Sequence, residues 1–295
     1  LGLTWANVMG IRKSVGIIYL FTVLKLLPLS LLVLFGLGKI DLQMLGGAAF
    51  PEVGELGEAL LVVLYAYVGF EGTMVAAGEG KRPRRDVPRA VVNTILFTGV
   101  MYLLIQAVSV SALPGLATST TALADVAAVI MGPAGAMLLT FGAVFSIFGN
   151  LQSTFVSAPR MTFALGRDGG MPAWFARVHD RYHTPHTSLW FYGIFCAVMG
   201  VSGSFVWLAV ISTLTRLLTY IVCIVALPRL EKTTEPVENQ FTLPGGLLIP
   251  GIALLLCLWL ISFASVTAWL TTLLLMAFGT LLYLASRYLA SKTGS

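Results

Sequence analysis

Charge is scarce in this 295-residue chain: Asp, Glu, Lys and Arg together make up 11% of it, against 57% hydrophobic residues, and the mean hydropathy is +0.90. Soluble domains carry about 25% charged residues, so a water-facing fold around one core is excluded and an integral membrane protein is implied. Cysteine is scarce too. Cys196, Cys223 and Cys257 lie in three different apolar runs with no CxxC spacing, which argues against a disulfide framework or zinc site and leaves them as small hydrophobes. No HExxH or DxxD-like pattern occurs, so the cluster a membrane-embedded enzyme would need for metal or general-base work on lipid or polyprenyl substrates is lacking. The net charge of +5 does not indicate nucleic acid, because the basic residues sit in short loops between apolar runs. There they act as orientation signals. The chain starts at Leu1 with no initiator methionine and no signal peptide, and reads as the remainder of a longer polypeptide. Nothing in it implies a cofactor.

What is present is a series of apolar runs near the length that crosses a bilayer. Eight spans are expected, at about 14–37, 56–77, 88–112, 134–165, 189–201, 205–227, 246–263 and 266–287. One set of loops holds Arg12, Lys13, Lys81, Arg82, Arg84, Arg85, Arg89, Arg160, Arg167, Arg177, Arg181, Arg229, Lys232, Arg287 and Lys292. The alternate loops hold only Lys39 beside Asp41, Glu52, Glu55, Glu58 and Asp125. The basic side is the cytoplasmic one, which places both termini inside. Segment 121–131 is too short to cross; Ser119 or Thr120 is positioned to cap it and Gly132-Pro133 to end it, and it is read as a short helix over the outer mouth.

The second span is interrupted at Gly69-Phe70-Glu71-Gly72. Two glycines weaken the helix where a carboxylate is costly to bury, a combination with no use in a lipid-facing rod. It suits a helix broken at membrane depth, whose half-helix ends present N–H and C=O groups to a small polar solute. Such backbone is tolerated only where protein or a water-filled cavity surrounds it. In the fourth span Ser146, Asn150, Ser153, Thr154 and Ser157 fall on one helical stripe, which serves either interhelical hydrogen bonding or a solute path. Gly135, Gly142 and Gly149 form a second row, open to close approach by another helix.

Three ionisable groups lie far from any interface. Lys25 sits about 11 residues, or roughly 16 Å of rise, into the first span, too deep to snorkel. It is either a proton carrier or an ammonium bonded to carbonyls and hydroxyls. Glu71 caps the N–H groups freed by the break, takes part in gating, or both. Arg216, midway along the sixth span, needs a carboxylate, and Glu71 is the carboxylate at similar depth. A clamp on the broken helix is the preferred role for Arg216, against direct contact with a substrate carboxylate. His179, His183 and His186 do not make a convincing metal set, because Pro185 separates the last two and Arg177 and Arg181 add repulsion.

The segment 65–72, YAYVGFEG, followed by AGEGKRPRRDVPRA at 77–90, resembles the sixth transmembrane helix and following cytoplasmic loop of amino acid/polyamine/organocation (APC) permeases. The context TVLKLLPL at 22–29 is similar to the fifth helix of proton-coupled members, where a lysine takes the place that sodium occupies in sodium-coupled relatives. The loop 160–185 resembles the one after the family's eighth helix. The resemblance implies an all-α, five-plus-five inverted-repeat (LeuT-like) transporter fold lacking its first four helices. Residues 1–38 would hold the last helix of the first repeat, 56–228 the second repeat and 246–288 two accessory helices, all within one transmembrane domain. It implies transport of an amino acid or related amine, by proton-coupled symport or exchange, in the bacterial inner (plasma) membrane.

By the same resemblance Tyr65, Val68, Gly69, Phe70, Glu71, Gly72 and Asn150 would face the substrate, with Phe70 or Tyr67 as a gate and Arg216 as a gating or structural group. Lys25, Glu71, Ser153, Thr154 and Ser157 would handle the coupling proton, and the segment 121–131 would line the extracellular vestibule. The expected partners are an amino acid or polyamine, protons, lipid and the missing N-terminal helices; the 295 residues by themselves are not expected to transport. A non-transporting receptor or assembly partner on a permease scaffold is the alternative.

Overall fold

In the computed structural model, which describes residues 1–9, 14–46, 50–75, 82–202, 204–233 and 245–293, the apolar runs become helices and the described residues contain no strand. The helices are α1 (Gly2–Val8), α2 (Ser14–Gly36), α3 (Leu42–Gly46), α4 (Val53–Tyr67), α5 (Gly72–Val75), α6 (Pro83–Ala112), α7 (Ala122–Arg167), α8 (His186–Ser202), α9 (Phe205–Thr233), α10 (Leu248–Ile261) and α11 (Val266–Thr293). Backbone groups in lipid must be satisfied within their own segment, which only helices and closed barrels achieve. Five segments, within α2, α6, α7, α9 and α11, are long and apolar enough to cross a membrane, and α8 and α10 are shorter apolar helices. Large side chains such as Leu103 and Leu274 point outward, 72% and 70% exposed; lipid is the medium that such a surface fits.

The helices extend beyond the expected spans, because a helical ladder continues past the hydrocarbon wherever polar side chains follow. Pro83 starts α6 five residues ahead of the expected Pro88, at a position where a missing N–H costs nothing, and Asp86 in the first turn pairs with Arg82 at 3.4 Å. α9 runs through Pro228 to Thr233. α7 is 46 residues long with non-helical backbone at Gly132 (φ 71, ψ −171), so the short helix expected at 121–131 and the following span are two rods joined at a glycine, and Pro133 restarts the second. The Ser119 hydroxyl accepts the Thr121 N–H at 3.1 Å, while the Ser119 and Thr121 hydroxyls donate to the Asp125 carboxylate at 2.5 and 3.1 Å. The basic-loop residues Arg12, Lys13 and Lys81, the motif residues 77–80 and linker residues 234–244 lie outside the described residues.

The chain divides into two compact units. One comprises Leu1–Val8, Pro51–Val92 and Ser157–Ser295, the other Met9–Phe50 and Asn93–Val156. In the second unit the glycine row of α7 receives α2: a Cβ on Gly142 would lie 2.8 Å from the Pro28 ring and 3.8 Å from the Leu24 carbonyl oxygen, and one on Gly149 would lie 2.9 Å from Phe21. Pro28 cannot donate to Leu24, four residues back, so the bare face of Gly142 stands over that freed carbonyl. Gly135, by contrast, is hemmed in by Met131 and Ala127 of its own helix. Further along α2 from this notch, Leu32 closes a buried core with Val108, Val126, Ala127 and Leu139. Gly142→Ala drives a methyl into Pro28, and overpacking of this kind costs about 1–3 kcal/mol; unfolding in detergent followed by tryptophan fluorescence should show that loss, and an unchanged midpoint would contradict the packing.

In the first unit α9 is the centre. Leu61 of α4 packs with Leu217 and Cys257, and Ile211 and Leu214 pack with Ala268 of α11. A Cβ on Gly57 would lie 2.3 Å from the Phe263 ring, so α4 passes close against the α10–α11 turn. The buried Thr213 hydroxyl donates to the Leu61 carbonyl at 3.1 Å. This bond ties α9 to the last turns of α4, just before the chain leaves the helix.

Candidate functional site

α4 stops at Tyr67. Val68 is extended (φ −71, ψ 150), its N–H reaching the Tyr65 carbonyl at 3.3 Å, and Gly69 has φ +117, a conformation in which a Cβ is strained. The Gly72 N–H then donates to the Gly69 carbonyl at 3.1 Å and the Met74 N–H to the Glu71 carbonyl at 3.0 Å as α5 begins. The loss of α-helical bonding thus spans Val68 to Glu71, one residue ahead of the glycine-flanked motif.

Glu71 holds the break together with both carboxylate oxygens. Its Oε2 accepts the Gly69 N–H at 2.9 Å, satisfying a donor the lost helix abandoned. Its Oε1 is ion-paired with Nη1 of Arg216 on α9, both side chains about one-third exposed (31% and 35%). The carboxylate anticipated for Arg216 is the one it meets. Thr213, Arg216, Leu217 and Tyr220 share one face of α9 by their spacing. From that face Tyr220 stacks on Phe70, with centroids 5.9 Å apart and planes at 26°, and Phe205 meets Tyr65 edge-on at 5.8 Å. The Tyr220 hydroxyl and the Arg216 Nε are enclosed without a hydrogen-bond partner among the described residues. On the other side, a Cβ on Gly72 would lie 4.0 Å from the Ser157 hydroxyl oxygen, so Ser157, grouped with Lys25 by the resemblance, stands beside the break.

Lys25 lines a cavity of about 440 Å³ within the other unit, walled by Pro28, Leu29, Leu123, Ala124, Leu139, Thr140, Gly142 and Ala143, with Thr121 and Ser146 among the polar atoms. Its ammonium has no hydrogen bond or ion pair among the described residues. Of the polar stripe, Ser146 shares this cavity. Thr154 donates instead to the Asn150 carbonyl of its own helix at 2.8 Å, and Asn150 and Ser153 are exposed. In the loop after α7, His179 and His186 stand 5.6 Å apart, centroid to centroid, while His183 has φ 53 and its N–H donates to the His179 carbonyl at 2.8 Å. Among the described residues no three metal-binding side chains cluster.

Thr213, Tyr220 and Phe205 escaped notice in the sequence, although Thr213 and Tyr220 sit three before and four after Arg216 and so share its face. The helical neighbours of an arginine within an apolar span are the signal that finds them. The family model described as amino acid permease matches residues 1–283. The branched-chain amino acid permease BcaP of Bacillus subtilis is 26% identical over 267 residues, covering 88% of this chain and 57% of that protein. The methylthioribose transporter of the same organism is 26% identical over 280 residues (93% and 60%), and its serine/threonine exchanger SteT 26% over 257 residues (84% and 58%). The chain thus spans less than two thirds of the length of these relatives.

Proposed function

This integral membrane chain belongs to the amino acid permease family, and from that premise we propose that it forms the α4–α5 half of a substrate site in a carrier for amino acids or related amines. The observation that supports this reading most is the break at Val68–Glu71. An extended residue, a left-handed glycine and a doubly engaged carboxylate interrupt an apolar helix, where a lipid-facing span would gain nothing from any of them. Val68, Gly69 and Gly72 supply backbone to the solute, and Tyr65 and Phe70 supply aromatic surface. Tyr67 and Phe70 gate it, and Asn150 contributes a polar contact. The Glu71–Arg216 pair and the Thr213 hydrogen bond hold the two ends of the break in register.

Transport is coupled to protons in this proposal, with Lys25 as the carrier. Lys25 lines a mostly apolar cavity, and the resemblance of its surroundings to the fifth helix of proton-coupled members supports this role. By the resemblance, Ser153, Thr154, Ser157 and Glu71 are the further residues assigned to handling the coupling proton. Both termini lie on the basic, cytoplasmic side of a bacterial inner membrane.

The test is uptake of labelled amino acids by proteoliposomes carrying the protein as its gene encodes it, with and without an inward proton gradient. The gradient should raise wild-type uptake several-fold and leave Lys25→Ala unaffected. A mutant that kept its full proton dependence would remove Lys25 from the mechanism, and saturable binding with no flux would favour a receptor on a permease scaffold.

A further inference from the structure

The Glu71–Arg216 pair bears on what the carrier accepts. Resting on the reading of the break as a substrate site, we propose that the site selects substrates whose side chain carries no net charge, zwitterionic amino acids rather than cationic amino acids or polyamines. Glu71 is the carboxylate at the break, and both of its oxygens are already engaged, one by the Gly69 N–H at 2.9 Å and the other by Arg216, which neutralises its charge. An ammonium on the substrate side chain would have to compete with Arg216 for the same carboxylate, and displacing it leaves a guanidinium without its counter-ion on α9. An anionic side chain meets the same difficulty from the other sign, since Arg216 is already neutralised.

What surrounds the pair is uncharged. Phe70 stacked on Tyr220 and Tyr65 against Phe205 offer aromatic faces, a surface suited to apolar or small polar groups. Aromatic faces also attract cations. The ring nearest Arg216 along α9, Tyr220, is covered by Phe70, so that attraction is blunted here. Selectivity on this account comes from charge neutralised inside the protein, which rejects both signs, and not from a counter-charge aimed at the substrate.

The experiment is competition by leucine, serine, lysine, putrescine and glutamate in proteoliposomes of the encoded protein, for wild type, Arg216→Gln, and the double variant Glu71→Gln with Arg216→Gln. Wild type should be inhibited at least tenfold better by leucine or serine than by lysine, putrescine or glutamate. Arg216→Gln exposes a bare carboxylate and should move the lysine-to-leucine inhibition ratio at least tenfold toward lysine. The double variant, neutral again, should return that ratio toward the wild-type value. A wild type that prefers lysine or putrescine overturns the inference while leaving transport intact, as does an Arg216→Gln ratio that does not move. If no compound is transported, the carrier reading fails instead, and selectivity is read from thermal stabilisation of the purified protein: stabilisation by leucine or serine and not lysine supports the inference, and stabilisation by lysine, or by none of them, overturns it.

Discussion

Replacing Glu71 with alanine should lower uptake at least about tenfold and destabilise the protein by about 1–3 kcal/mol. The substitution strands two partners at once. The Gly69 N–H loses its acceptor, and because this bond is exposed the loss is that of an ordinary hydrogen bond, about 0.5–1.5 kcal/mol. Arg216 loses its counter-ion; truncating one side of a buried pair costs about 3–5 kcal/mol, a figure to be reduced here because both side chains are about one-third exposed and water screens what it reaches. Glu71→Gln separates the two effects, since its amide oxygen still accepts the Gly69 N–H while the charge is gone. If denaturation in detergent gave Glu71→Ala the same stability as wild type, the carboxylate would not be holding the break.

Gly69→Val should be nearly as damaging, for a reason located in the backbone. A Cβ on Gly69 meets open space, so volume is not the obstacle; φ +117 is. A β-branched residue at that angle is a conformational outlier whose strain costs on the order of 1–3 kcal/mol. The chain relieves it by re-forming helix across 68–71, which pulls the Glu71 carboxylate away from Arg216. Uptake should fall at least about tenfold, the factor that 1.4 kcal/mol represents in an equilibrium. Gly251→Ala on α10, where a methyl also meets open space but no positive φ is involved, should change stability by less than about 1 kcal/mol. Equal damage from both substitutions would mean that the backbone angle at Gly69 is not what the break depends on.

The helices were legible because lipid permits little else. Long apolar runs in a sequence with so few charges become spans, and Gly132-Pro133 parts the outer helix from its neighbour where those two residues stand. The break was legible for a similar reason, since two glycines around a glutamate have no place in a plain span. The placement of the partners was harder to read. Arg216 pointed to Glu71 through a shortage of alternatives, an argument by depth alone. That Ser157 lies beside Gly72, that Tyr220 covers Phe70 and that Thr213 reaches the Leu61 carbonyl depend on the rotation of each helix about its axis. In α9, whose polar residues are not gathered on one stripe, and in the nearly uniformly apolar α10, the hydrophobic pattern has little amphipathic contrast to fix that rotation. The ends of the helices were misjudged because hydropathy marks where lipid stops, whereas the ladder stops where the backbone runs out of partners.

The notch between Pro28 and Gly142 has a consequence for biogenesis. On its own in the bilayer, the α2 segment would carry a lysine and an undonated carbonyl on adjacent residues, Leu24 and Lys25, a poor passenger for hydrocarbon. The glycine that shelters it is translated more than a hundred residues later, on the order of ten seconds at ordinary elongation rates. Until then the nascent segment relies on the insertion machinery or another helix for shelter, and its own packing is completed only when α7 arrives.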